Sequence, residues 1–127
     1  SSFEAALLAL LLVWLSLRVI KVRRAKRVRL GDGGEHELQV AIRAQGNATE
    51  YIPISVILLV LLELNGAHMA LLHISGVAIL TGRLIHARGL ITESIPTRVL
   101  GMQVTLFTLI AMALANIGYS LAAAIGF

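Results

Sequence analysis

Cysteine is absent from the 127 residues. Within them there is therefore no disulfide, no thiolate metal site and no thiol nucleophile of the protein's own. Any sulfur chemistry must use a thiol that arrives with a ligand. Charge is scarce too, at 14% of residues, where a soluble domain carries about a quarter. From Val99 to Phe127 there is none at all. Aromatic side chains make up 5%, and none interrupts the main basic run, which argues against nucleic-acid binding. Short segments of alternating hydrophobicity are missing, so a membrane β-barrel is a poor reading. The four histidines (His36, His68, His73 and His86) form no i, i+3 or i, i+4 pair, so no metal site is expected.

Apolar residues are abundant, at 57%, with a mean hydropathy of +0.86. They fall into four blocks, roughly 5–22, 38–64, 67–90 and 99–126, each near the ~20 residues a helix needs to cross a bilayer. Backbone polar groups in lipid must be satisfied within the segment, which selects helices. The expected fold is an all-α, four-helix integral membrane bundle in a single domain, 1–127. Its helices are placed at about 3–27, 36–65, 67–91 and 97–126. The basic cluster follows the first apolar block instead of preceding it, unlike a secretory signal peptide.

Seven of the eleven basic residues lie between Arg18 and Arg29, and Arg83, Arg88 and Arg98 surround the third connection. The 65–68 turn has no Lys or Arg. The positive-inside rule then puts the first and third connections in the cytoplasm and both termini on the opposite side. The basic run also suits contact with membrane phospholipids. "LGDGGE" (30–35), Gly66 and Pro96 punctuate the connections. The small residues of "AMALANIG" and "LAAAIG" in the fourth block suggest close helix packing there.

The stretch "RAQGNATEYIP" (43–53) is out of keeping with the apolar run that follows it. On a helical period Arg43, Asn47 and Glu50 share one face, extended by Gln39 and flanked by Tyr51. Charges at membrane depth face a protein interior or a cavity and tend to pair. One reading is a structural network that fixes the bundle; the other is a polar pocket for a zwitterionic ligand. Arg83 and His86, at i and i+3, share a face of the third helix. Glu63 is expected at the interface, and Asn116 is expected to bond between helices.

The 43–53 pattern, Arg-x-x-x-Asn-x-x-Glu-Tyr followed by proline, resembles the signature of the MAPEG superfamily, especially its leukotriene-synthase and bacterial branches. "VRRAKRV" (22–28) and "GRLIH" (82–86) are similar to that family's first-helix and third-helix motifs. The resemblance implies a homotrimer that binds reduced glutathione as cosubstrate in clefts between subunits, near the cytoplasmic side. By matching positions, Arg23, Arg43, Ala44, Gln45, Gly46, Asn47, Glu50 and Tyr51 would line the glutathione site, with Arg83 and His86 completing it. Arg98, opening the fourth helix, and Arg24 would be the candidates for activating the thiol. Relatives carry a tyrosine one turn after the histidine of the third-helix motif; Leu90 stands there in this chain. The implied activity is a glutathione transferase or peroxidase acting on lipophilic electrophiles, with the glutathione thiolate as nucleophile. A non-catalytic lipid- or glutathione-binding scaffold of the same fold is the alternative. A small multidrug exporter suits the length, but the first helix offers only Glu4, at its outer start.

Overall fold

The computed structural model describes residues 1–126; the last residue of the expected 1–127 domain lies outside them. Four helices account for nearly the whole chain: α1 (Ser2–Lys26), α2 (His36–Leu64), α3 (Met69–Ile91) and α4 (Ile95–Ala124). Each is long and apolar enough to cross a membrane. At 1.5 Å per residue the shortest, α3 with 23 residues, is roughly 34 Å long, against a hydrocarbon core of ~30 Å.

The ends of the helices follow from local chemistry. The Arg27 backbone is left-handed and closes α1, with the Val28 N–H donating to the Arg23 carbonyl. At the α2–α3 turn, Gly66 has φ +78°, and the N–H groups of Gly66 and Ala67 donate to the carbonyls of Glu63 and Leu62. Glycine adopts this left-handed stop at little cost. The α3–α4 turn repeats the pattern without a glycine. Glu93 takes φ 56°, and Ser94 N–H reaches back to the Gly89 carbonyl. Ser94 then caps α4, its Oγ accepting from Thr97 N–H, and Pro96 sits in the first helical turn where a missing N–H costs nothing.

The chain runs up and down, with α2 packed against each of the other three helices and the most extensive contact between α3 and α4. Among the described residues α1 and α4 do not touch. Leu8, Leu15, Leu59, Leu62, Ile79 and Met112 form the buried core away from the basic end. Large apolar side chains such as Phe107, Leu114 and Leu121 on α4 point outward, as they do when the solvent is lipid. The closest helix approach is not in the small-residue stretch of α4. It lies nearer the start of that helix, where a Cβ added to Gly101 would fall 2.3 Å from the His86 backbone nitrogen. Gly118, by contrast, has open space around it. The expectation of tight packing in the second half of α4 is therefore corrected for the single chain.

Candidate functional site

The polar residues of α2 part company in three dimensions. Arg43 and Glu50 are both exposed, and one guanidinium nitrogen, Nη2, donates to both carboxylate oxygens at 3.0 Å. Asn47 turns the other way, is buried, and accepts through Oδ1 from Nη1 of Arg83 on α3. Each helical residue advances about 100°, so Asn47 and Glu50 lie about 60° apart around the axis. That rotation is enough to give one to the neighbouring helix and the other to the surface. The expected single network of Arg43, Asn47 and Glu50 is thus two separate pairs.

Arg83 is the centre of the buried pair. Its residue is 2% exposed. Nε donates to Thr105 Oγ1 at 3.1 Å, and Thr105 donates in turn to the Gly101 carbonyl at 2.9 Å. The guanidinium carbon stands 5.1 Å from the centre of the Tyr51 ring, within cation–π range. Every partner is neutral. Nη2 has no acceptor, so a full positive charge is held by dipoles with one donor group unsatisfied. Burying a cation in this way is expensive unless an anion joins it.

His86, one turn further along α3, is also buried. The α4 backbone at Gly101 passes directly against the backbone of His86. This close α3–α4 approach is possible because glycines at 82, 89 and 101 leave no side chain between the backbones. Arg43, Arg83 and Arg98 stand on three different helices at the basic end of the bundle, and Arg43 is already paired with Glu50.

The remaining predicted site residues are less closely gathered. Arg98 is exposed and lines a pocket of about 290 Å³ with His36, Val40, Leu90 and Glu93. His36 and Glu93 pair across its mouth. Leu90, where the family resemblance implied a tyrosine, thus lines the Arg98 pocket. Gln45 and Gly46 are half-buried. Ala44 is buried in the core of the single chain. Arg23 donates to the Gly31 carbonyl at 2.7 Å and fastens the glycine loop. Arg24 is exposed in a neighbouring basic groove with Arg27 and Arg29.

Three features escaped sequence reasoning. Thr105 is a common residue in membrane helices, and nothing in the sequence marks it as the partner of an arginine 22 positions away. The His36–Glu93 pair spans 57 positions. Glu4 is not simply at an outer helix start: it is buried, and its Oε1 lies 2.6 Å from His73 Nδ1. Asn116 does bond between helices, donating to the Leu58 carbonyl at 3.1 Å, and Glu63 is exposed in the last turn of α2. Among the described residues no cluster of three metal-ligating side chains occurs.

The MAPEG family model matches residues 2–118. The chain belongs to the MAPEG family. It is also similar to the inner membrane protein YecN of Escherichia coli (strain K12), with 45% identity over 119 residues, 94% of this chain and 91% of the relative. The YecN protein of Escherichia coli O6:H1 (strain CFT073) matches to the same extent. This MAPEG chain, with four membrane-spanning helices, is a multi-pass integral membrane protein. The relatives' name states a location and no activity. In this MAPEG protein the 43–53 stretch on α2 supplies both the surface pair Arg43–Glu50 and the buried partner of Arg83, Asn47. The exporter alternative is set aside by the family assignment.

Proposed function

We propose that this chain is a glutathione-dependent membrane enzyme, a transferase or peroxidase in which the glutathione thiolate attacks lipophilic electrophiles. One observation carries the reading: the buried guanidinium of Arg83 has only neutral partners and keeps an unsatisfied donor, at the end of the bundle that also holds Arg43 and Arg98. Glutathione has two carboxylates, an ammonium and a thiol. Arginine binds carboxylate through parallel N–H donors, and Glu50 has the charge to receive the ammonium. In the transferase reaction the sulfur forms a bond to the electrophilic carbon as its leaving group departs. In the peroxidase reaction the thiolate breaks the O–O bond, an alcohol leaves, and a second glutathione completes a disulfide with loss of water.

The site lies between subunits of a homotrimer in this reading, with the basic end in the cytoplasm. The exposed Arg43–Glu50 pair supports it, since a charged pair at membrane depth is costly against lipid and a second subunit would cover it. Lipophilic substrate reaches the site from the bilayer and glutathione from water. A non-catalytic scaffold is favoured by a single feature, the aliphatic Leu90 in the Arg98 pocket. Purified protein assayed with glutathione against an aryl halide and a lipid hydroperoxide separates the two. The enzyme reading expects glutathione consumption that saturates with protein-bound thiol and falls in the Arg98→Gln variant. Binding without turnover of either substrate class leaves the scaffold.

A further inference from the structure

An apolar groove of about 880 Å³ runs between α1 and α3, on a part of the molecule that the Arg83 site does not use. Its walls include Leu7 and Trp14 on α1 and Leu80, Leu84, Arg88 and Ile91 on α3. The α3 wall from Leu80 to Ile91 rises roughly 16 Å at 1.5 Å per residue, about half of a ~30 Å hydrocarbon core. The groove is one leaflet tall. Both helices run in the same direction, from the core end of the bundle to the basic end. Its single polar wall residue, Arg88, therefore stands at the basic end, beside Trp14, whose ring is half exposed.

Arg18 follows Trp14 by four residues and so shares its face of α1. Its Nε is buried and has no acceptor. Among the described residues neither Arg18 nor Arg88 makes an ion pair with an acidic side chain. One guanidinium in the wall of a leaflet-length apolar groove, Arg88, and a second one turn beyond its Trp14, Arg18, both without an anionic partner, match one chemistry, an acyl chain that ends in an anionic headgroup. We infer that the α1–α3 groove binds an anionic phospholipid, with one acyl chain along Leu7, Leu80 and Leu84 and the phosphate between Arg18 and Arg88. Arginine suits this task because its planar fork meets two phosphate oxygens, and basic pockets between membrane helices hold lipid headgroups in this way. A second copy of the chain fits less well. Its long apolar helix α4 carries no charge beyond Arg98 and would leave both guanidiniums unanswered.

Trp14 is the only tryptophan of the chain and lines the groove, so its fluorescence reports the occupant. The full chain is reconstituted in vesicles in which either phosphatidylglycerol or phosphatidylcholine carries brominated acyl chains. Brominated phosphatidylglycerol should quench at a lower mole fraction, with a preference of roughly fivefold for each arginine involved. In Arg18→Gln/Arg88→Gln the preference should fall to parity while helical circular dichroism is retained. The single variants serve if the double variant does not fold, each losing part of the preference. Leu84→Phe, which narrows the groove, should weaken quenching by both lipids. Equal quenching by the two lipids in the unaltered protein, or a preference that survives in the arginine variants, overturns the inference. Trp14 quenched by neither lipid means that protein covers the groove, as a second copy would, and also overturns it. Relief of quenching by inorganic phosphate would assign the arginines to a free anion. None of these outcomes depends on glutathione.

Discussion

At Asn47 and Glu50 the same helical face serves two purposes. Glu50 is exposed and holds Arg43, while Asn47 is spent on the buried Arg83. Their substitutions should therefore fail differently. Glu50→Gln removes a charged partner from the surface site, and hydrogen bonds to charged groups contribute about 1.5–3 kcal/mol. Glutathione affinity should fall by roughly tenfold or more, with the thermal midpoint unchanged, as read by calorimetric and thermal-shift titration. Asn47→Leu should do the reverse first: with Arg83 left short of a partner, the thermal midpoint drops. Arg98 is the third test at this scale. A free thiol with pKa ~8.5 is mostly protonated at neutral pH. A nearby guanidinium lowers that pKa, so the thiolate fraction is gained below the free value and the advantage vanishes well above it. Arg98→Gln should therefore cut turnover about tenfold near neutral pH for each unit of pKa lost, and move the rising limb of the pH–rate profile upward. Glutathione affinity should change less. If the profile shifts in Arg24→Gln and not in Arg98→Gln, the activating charge is Arg24.

Between elements, the contact that assembles the site is the glycine-lined crossing of α3 and α4. Gly101→Ala would place a methyl 2.3 Å from a backbone nitrogen of α3, and backbone cannot yield as a side chain end can. Overpacking of this kind costs about 1–3 kcal/mol or more, and the midpoint of thermal unfolding in detergent should fall accordingly. Gly118→Ala, in open space on the same helix, should be neutral or stabilising by about 0.5–1 kcal/mol. Equal effects at the two positions would remove the crossing from the account. The four spans themselves were readable in the sequence, because uninterrupted apolar length is sufficient to make a membrane helix. The location of the tight crossing was not. Small residues crowd the second half of α4, but packing there depends on what faces them, and within this chain Gly118 faces nothing. For the same reason the 43–53 motif singled out Arg43, Asn47 and Glu50 without showing which of them would meet α3. A helical face is about 100° wide, and the 60° between Asn47 and Glu50 is resolved only when α3 is in place. Glu4 and His73, 69 positions apart, carried no signal of their pairing.

As a whole, the chain is a bundle that is apolar inside and out. Its core is a strip of leucines, and its outer surface is apolar on α1 and α4. Its polar side chains gather at the two ends, Arg43, Glu50, Arg83 and Arg98 towards the basic one and Glu4, His73 and Glu63 towards the other. A lone subunit leaves the Arg43–Glu50 pair exposed, which is the strongest argument that the working unit is larger than one chain. Native mass spectrometry of the detergent-solubilised protein with reduced glutathione reads assembly and ligand together. A trimer that gains up to three glutathione masses, saturably, is expected, with the bound series lost in Glu50→Gln while the trimer persists. A trimer that gains no glutathione at millimolar concentration, or a protein that stays monomeric while folded, would contradict this expectation.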